Sequence, residues 1–111
     1  MKDLHLSRTD ERLVTMLRAL GNPARFRIFQ ELRSRGVCQT GPLVDVLPLA
    51  QSTVSEHLRR LQEAGLVTGT LDGPTTCYCV DEQAFAWFQN RIAALQPSLP
   101  SGRPAPALVD G

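Results

Sequence analysis

Apolar residues recur every three or four positions along the first third of the chain, which is the spacing of one buried helix face. This pattern predicts a helix over residues 9–20 and, after a break at Gly21, a second helix over residues 23–35. Asn22 is a good N-cap for the second helix, and a proline suits the next position because its missing N–H would have no helical partner there. The apolar positions expected to supply the core of these helices are Leu13, Met16, Leu17, Leu20, Phe26, Ile28, Phe29 and Leu32.

Residues 49–67 carry a third amphipathic pattern. Val54, Leu58 and Leu61 give this predicted helix one apolar side, and Gly65 supplies the left-handed position that ends it. The opposite side carries hydroxyl, amide and guanidinium groups, which donate to phosphates and read base edges in DNA. A solvated helix face gives the same pattern, so both interpretations remain open at this point. The polar positions are Gln51, Ser52, Thr53, Ser55, Glu56, His57, Arg59 and Arg60.

Short elements are predicted on both sides of this helix. Before it, residues 37–39 are long enough for one β-bridge, and residues 42–47 predict a short helix that ends at a proline. After it, residues 67–71 and 76–80 are two runs of β-forming residues, and the segment 72–75 between them contains an Asp-Gly step. That step between such runs indicates a β-hairpin.

A last helix is predicted over residues 82–96, with Asp81 as its cap. Its apolar stripe either packs on the core of the same monomer or forms a dimer contact, because a domain this small gains from burying more surface. The stripe consists of Phe85, Phe88, Ile92 and Leu95, flanked by Trp87 and Arg91. The complete order is α-α-β-α-α-β-β-α, a mainly α fold with a small β-hairpin (α+β), as in a winged helix-turn-helix.

The composition restricts the function. The chain has 111 residues, which is enough for one small domain, expected over residues 9–96 between a flexible segment 1–8 and a disordered tail 97–111. A net charge of +1 excludes a generic polycation, so DNA binding would require locally placed positive charge. We expect a cytoplasmic protein with no membrane association, because no apolar run is long enough to span a bilayer and no signal-peptide core is present.

Three motifs together resemble the ArsR/SmtB family of bacterial repressors. The segment LRALGNPARFRIFQEL at residues 17–32 matches the second-helix motif of that family, and LAQSTVSEHLRRLQEAGLV at residues 49–67 matches its recognition segment. The sequence GTLDGPTTCYCV at residues 69–80 matches the family's wing, with Gly73 and Tyr78 in register. One departure is Ala50, which stands where the family usually has a serine.

The resemblance implies a homodimeric repressor of double-stranded operator DNA, with the first and last helices at the dimer interface. Two recognition helices would then enter successive major grooves of an imperfect palindrome, about 34 Å apart. For base reading we expect the first part of that helix, and for phosphate contacts Arg59 and Arg60. The base-reading candidates are Gln51, Ser52, Thr53, Ser55, Glu56 and His57. Pro74, Thr75 and Thr76 are expected at the wing tip, beside the DNA backbone or minor groove.

Cysteine chemistry points to an inducer site. Cys77 and Cys79 lie two residues apart on one predicted strand, so their side chains leave the same face with Cα atoms about 6.5 Å apart. In winged folds the bridge strand pairs with the second wing strand, which would bring Cys38 beside them. Three thiolates suit trivalent arsenic or antimony, or a soft metal ion. By contrast, residues 82–96 contain no His or Cys and one carboxylate, that of Glu82, so the zinc-type site known on the last helix of some family members is missing.

Two alternatives to thiol ligation stay open. Cys38 paired with Cys77 or Cys79 in a disulfide would make the protein a sensor of redox state or reactive sulfur. All three cysteines could instead be small buried residues of a sheet. An enzyme is not expected, because the chain has no glycine-rich phosphate loop and no paired acid and base for a nucleophile.

Overall fold

The computed structural model describes residues 4–35, 47–72 and 75–95. In these ranges the chain forms four helices and one hairpin. The helices are α1 (Arg8–Leu20), α2 (Pro23–Arg35), α3 (Gln51–Glu63) and α4 (Glu82–Ala93), and the strands are β1 (Val67–Asp72) and β2 (Thr75–Val80). The predicted bridge at 37–39, nearly all of the predicted helix at 42–47, and the tail at 97–111 lie outside the described residues. Within the described residues the fold is the mainly helical, hairpin-bearing arrangement that the sequence predicts.

Side-chain caps begin the first two helices. The Ser7 hydroxyl accepts a hydrogen bond from the backbone N–H of Asp10 at 3.1 Å, and α1 therefore begins one residue before the predicted start. The amide oxygen of Asn22 accepts from the N–H of Arg25 at 3.1 Å, which confirms the predicted cap of α2. These bonds satisfy N–H groups that have no partner inside the helix.

The hydrophobic core lies where α1, α2 and α3 meet the start of the hairpin and the first turn of α4. Two residues predicted for the core are exposed: Leu17 is 42% exposed and Phe26 is 47% exposed. Leu13 is buried outside the core cluster, and Leu20 is partly buried against it. The described residues around Leu17 and Phe26 leave these two side chains partly uncovered. Ala19 is buried instead. The core cluster contains Met16, Ala19, Ile28, Phe29, Leu32, Leu47, Val54, Leu58, Leu61, Ala64, Leu66, Val67 and Ala84.

The end of α3 passes directly into the hairpin. Gly65 has a φ of 82°, the left-handed conformation predicted for it, and the Leu66 N–H donates to the Leu61 carbonyl at 3.0 Å. Leu66 is fully buried, so the chain turns back over the last turn of α3 as expected. A hydrogen bond from the Asp81 N–H to the Leu66 carbonyl, at 3.0 Å, joins the residue after β2 to the residue before β1.

The hairpin is a two-stranded antiparallel sheet. Its register runs from Val67 opposite Val80 to Asp72 opposite Thr75, so each strand is one residue longer than predicted. Residues 73–74, which connect the strands, lie outside the described part of the chain. Strand β2 pairs with β1 in this register, which places Cys77 opposite Thr70 and Cys79 opposite Thr68.

Helix α4 packs its first half on the core. The Asp81 carboxylate accepts from the Ala84 N–H at 3.0 Å, which confirms the predicted cap. The Phe85 ring meets the Phe29 ring edge-on at 5.1 Å between centroids and stacks with Phe88 at 6.0 Å. The helix ends at Ala93, before the predicted end, and Leu95 is 70% exposed.

Two polar contacts join α4 to α1. The Arg12 guanidinium lies over the Trp87 ring at 4.1 Å, and Arg91 Nη2 donates to Asp10 Oδ1 at 3.4 Å. These contacts place the two helices side by side along one surface of the molecule. In the part of the chain that the structure describes, no helix combines the length and apolar character needed to cross a membrane.

The start of α3 lacks a side-chain cap, so a substitution there tests how much a cap contributes to stability. Ala50 has the extended backbone of an N-cap but has no side chain that can accept from the first turn. We expect Ala50→Ser to raise the free energy of unfolding by about 1 kcal/mol, because a hydroxyl there can accept from a first-turn N–H. Urea unfolding followed by circular dichroism measures this change. As a control, Ala86→Ser in the exposed interior of α4 should lower stability slightly, because serine is the poorer helix former. An unchanged midpoint for Ala50→Ser would contradict this account.

Candidate functional site

The first turn and a half of α3 presents a continuous exposed polar surface. Val54, Leu58 and Leu61 face the core, and this orientation turns the polar residues of the first turns outward. The exposed uncharged candidates for base reading are Gln51, Ser52, Thr53 and Ser55. Their amide and hydroxyl groups accept and donate hydrogen bonds, which is the chemistry needed at base edges in a major groove. Glu56 is also exposed, so five of the six predicted base-reading residues are accessible on α3.

Charged residues occupy the next turns of the same helix. The Glu56 carboxylate accepts from Arg59 Nη2 at 2.7 Å and from Arg60 Nε at 3.3 Å. Arg59 also donates to Glu63, so the guanidinium is held between two carboxylates. The hydrogen bond from Arg59 is the largest cause of a lowered pKa for Glu56. The surface is thus locally neutral rather than strongly basic, in agreement with the small net charge of the chain.

These ion pairs are exposed and exchangeable. Water and salt screen pairs of this kind, so little free energy opposes the transfer of Arg59 or Arg60 from Glu56 to a phosphate. The acidic and basic residues are three or four positions apart on one helix, and this spacing predicts such ion pairs from the sequence. The predicted phosphate role of the two arginines and the predicted base-reading role of Glu56 remain predictions.

His57 lies on a different side of α3. Its ring is partly buried against α2, with Nδ1 at 3.3 Å from Arg25 Nη1, and the Arg25 Nε donates to the Ala19 carbonyl at 2.8 Å. Burial first, and then the nearby charge of Arg25, lower the pKa of His57, so both disfavour a charged imidazolium here. The structure places His57 at the α2–α3 contact, apart from the exposed residues of the first turn. Its role in base reading stays a prediction.

Arg25 belongs to this contact, but the sequence pattern did not mark it as a functional residue. It is separated from His57 by 32 positions. Only the packing of α2 against α3 brings the two together, and no local pattern indicates it. The contact links the start of α2 to the middle of α3.

The other predicted DNA contacts, Pro74, Thr75 and Thr76, belong to the predicted hairpin. Thr75 pairs with Asp72 and Thr76 with Leu71 in the hairpin register, so both threonines lie at the start of β2, next to the connection between the strands. Pro74 lies outside the described residues. The contact of these residues with a DNA backbone remains a prediction.

Cys77 and Cys79 lie on β2, opposite Thr70 and Thr68 of β1. Both are partly buried, and their alternate positions place them on one face of the hairpin. Cys77 carries a free thiol, whereas Cys79 is disulfide-bonded. Cys38 lies outside the described residues. The described ranges therefore contain two of the three predicted thiol ligands. Within these ranges no three Cys, His, Asp or Glu side chains come together as a metal site.

Comparison with known proteins agrees with this geometry. A model of a helix-turn-helix domain family matches residues 20–70. The HTH-type transcriptional repressor SmtB of Mycobacterium tuberculosis is 43% identical over 63 residues, which cover 57% of this chain and 46% of SmtB. The regulator CmtR of the same organism is 39% identical over 74 residues, which cover 67% of this chain and 62% of CmtR. The chain thus aligns with about half of the length of these curated relatives.

Solved structures extend the similarity over a larger part of the chain. A protein described as a possible transcriptional regulator for arsenical resistance is 36% identical, with a TM-score of 0.64 over 72% of this chain and 82% of its own. The NMR structure of the cadmium sensor CmtR from M. tuberculosis is 33% identical, with a TM-score of 0.55 over 86% of this chain and 97% of its own. The relatives are regulators of transcription, which supports the prediction that the chain is not an enzyme.

Proposed function

Because the chain belongs to the ArsR/SmtB family of winged helix-turn-helix transcriptional regulators, we propose that it is a homodimeric repressor with a thiol-based inducer site. It binds operator DNA through α3 and the hairpin, and it releases the DNA when a thiophilic inducer binds its cysteine thiolates. Trivalent arsenic, trivalent antimony and soft metal ions have the required chemistry. The proposed place of action is the cytoplasm, where the operator is.

The exposed polar surface of α3 is the observation that carries the DNA-binding proposal. Gln51, Ser52 and Ser55 are exposed while the apolar residues of the helix are buried, so the polar groups are available to a partner. A helix of this kind followed directly by a hairpin is the arrangement that reads a major groove and contacts the adjacent backbone. SmtB is named as a transcriptional repressor, which supports the direction of regulation.

Exposed apolar residues on α1 and beyond the end of α4 support the dimer. Leu17 is 42% exposed on α1, and Leu95 is 70% exposed just after α4. Leu4 and Leu6, just before α1, are also exposed. Helices α1 and α4 are already neighbours through the contact between Arg12 and Trp87. A second copy packed on this surface would bury leucines that a monomer leaves in water.

The hairpin thiols support the inducer site. Cys77 and Cys79 share one face of β2, and soft thiolate sulfur is the donor that thiophilic ions prefer. Cys79 is oxidised in the structure, so it must be reduced before it can act as a thiolate ligand. CmtR is a cadmium sensor, and the structure at 36% identity is connected with arsenical resistance, which supports this class of inducer. Cys38 would supply the third thiolate.

Redox sensing is the second candidate, and the disulfide bond of Cys79 favours it. In this version oxidation of Cys79, rather than ligation, changes the hairpin next to α3. The third interpretation, cysteines that only fill the sheet, predicts no response to either treatment.

A gel-shift experiment tests the proposal. The reduced protein is titrated into DNA from upstream of its own gene, alone, with arsenite or cadmium, and with the thiol oxidant diamide. We expect a specific shift that arsenite or cadmium reverses. Reversal by diamide alone would support the redox candidate in place of ligation. Absence of any shift would contradict DNA binding, and a shift that no treatment changes would contradict a thiol sensor.

Variants of α3 separate base reading from phosphate binding. We expect Gln51→Ala to lose about 1–3 kcal/mol of discrimination at one base pair, because glutamine pairs with adenine through two hydrogen bonds. Arg60→Gln should weaken specific and random DNA to a similar extent, and Glu56 keeps Arg59 as its partner in that variant. Fluorescence anisotropy with specific and random duplexes measures both effects, and Gln30→Ala on α2 is the control. Equal effects of Gln51→Ala on the two duplexes would contradict this assignment.

A further inference from the structure

A small concave surface lies between α1, α2 and α3, on the side of α3 that carries Arg60. Its volume is about 200 Å³, and Arg18, Arg25 and Arg60 contribute to its lining together with Thr15 and Glu63. Each arginine comes from a different helix. The three-helix packing therefore brings together positive charges that are far apart in the sequence, and this set of residues is called the arginine pocket below.

The arginine pocket has excess positive charge. Glu63 is the one carboxylate in its lining, and Arg59, which is outside the lining, also pairs with it. Arg60 Nε donates to Glu56 at 3.3 Å, which leaves the rest of its guanidinium available. Arg18 forms no ion pair with any carboxylate of the described residues.

Arg25 is held in a fixed orientation at the rim of the pocket. Its Nε donates to the Ala19 carbonyl at 2.8 Å, and its Nη1 lies 3.3 Å from His57 Nδ1. The charges of Arg25 and Arg60 both contribute to the lowered pKa of His57, a separate indication of positive potential beside the pocket. A guanidinium held in this way is ready to donate without further loss of side-chain freedom.

We propose that the arginine pocket binds a tetrahedral oxyanion of the phosphate class and that a phosphate of the DNA backbone occupies it in the protein–DNA complex. Arginine presents planar pairs of N–H donors that match phosphate oxygens, and charge-assisted bonds of this kind are the stronger ones. A volume of about 200 Å³ suits a single phosphate group better than a larger ligand. Because Arg60 belongs to α3, a phosphate in the pocket fixes that helix relative to the duplex. The choice of DNA as the source of the phosphate rests on the proposed function.

The first arm of the test uses duplex DNA of random sequence, since phosphate contacts do not depend on sequence. Arg18→Gln removes one charge from the pocket and leaves the bonds of Arg25 intact. Arg27→Gln removes one charge from the exposed side of α2, where Arg27 pairs with Glu31, and is the matched control. We expect the slope of log affinity against log salt to become shallower by about 0.9 for Arg18→Gln and to stay unchanged for Arg27→Gln.

The second arm uses inorganic phosphate with the protein alone. Thermal unfolding is compared in potassium phosphate and potassium chloride at equal ionic strength. We expect phosphate to raise the midpoint by a few degrees for the wild type and Arg27→Gln, and to do so much less for Arg18→Gln. The comparison of variants removes the general stabilising effect of phosphate on proteins.

The two arms separate the outcomes. Changes in both arms that are confined to Arg18→Gln support a site that a DNA phosphate occupies. A change in the phosphate arm alone supports the oxyanion site and overturns DNA as its source. No difference between the two variants in either arm overturns the proposal. Failure of the wild type to bind any duplex contradicts the proposed function, and the phosphate arm then still tests the site.

Discussion

Leu61→Ala is expected to lower the free energy of unfolding by about 2–5 kcal/mol, the largest stability effect of any substitution considered for this protein. Leu61 is fully buried in the core cluster, where α3 meets α1 and α2. Truncation removes apolar contacts and leaves a cavity that the surrounding helices cannot fill completely. For a domain of this size each kcal/mol corresponds to about 4–8 °C, so the unfolding midpoint should fall by about 10 °C or more.

The matched control keeps the volume of the side chain. Leu61→Met should cost less than about 1.5 kcal/mol, because methionine fills a similar space. Both variants are measured by urea and thermal unfolding of reduced protein at several concentrations, because dimerisation would make the midpoint depend on concentration. A loss below 1 kcal/mol for Leu61→Ala would show that the core is not closed around α3. The same variant should also bind DNA more weakly, because α3 would no longer be held firmly on α1 and α2.

Local signals in the sequence predicted the elements that the structure describes and most of their ends. Asn22 and Asp81 both cap helices through their side chains, and Gly65 has the positive φ that ends α3. Each of these features depends on residues within a few positions, so the sequence carries it directly. The helix ends that differ most are the start of α1, where Ser7 is the cap, and the end of α4, where the apolar stripe continues beyond the helix. Each strand is also one residue longer than predicted.

Tertiary contacts account for what the sequence did not predict. Helical spacing predicted a buried Phe26 and put His57 on the polar side of α3, because periodicity gives a face but not the element that covers it. In the structure Phe26 is 47% exposed, and His57 meets Arg25 across the α2–α3 contact. The arginine pocket has the same origin, since its three arginines come from three helices.

Cys79→Ser is expected to abolish the inducer response, and this is the largest functional effect that we predict. A serine hydroxyl stays protonated near neutral pH and is a hard donor, so it replaces neither a thiolate ligand nor a disulfide. Couplings between effector and DNA sites correspond to changes of about 5–150-fold in affinity. Arsenite or diamide should therefore lower the affinity of the wild-type protein for its DNA by a factor in this range. Neither reagent should lower the DNA affinity of Cys79→Ser. Fluorescence anisotropy in a phosphine reductant measures the arsenite response, because thiol reductants would compete for arsenic.

Cys77→Ser distinguishes the two thiol mechanisms. Cys77 shares the face of β2 with Cys79 but is free in the structure, so a trigonal arsenic site needs Cys77 whereas a disulfide through Cys79 does not. If thiolate ligation acts, Cys77→Ser and Cys79→Ser should both lose the arsenite response. If disulfide formation acts, Cys77→Ser should keep the diamide response that Cys79→Ser loses. Thermal unfolding of each reduced variant is the control, since a folded variant shows that a lost response belongs to the thiol. A full response to both reagents in Cys79→Ser would contradict both mechanisms and leave the cysteines with a structural role.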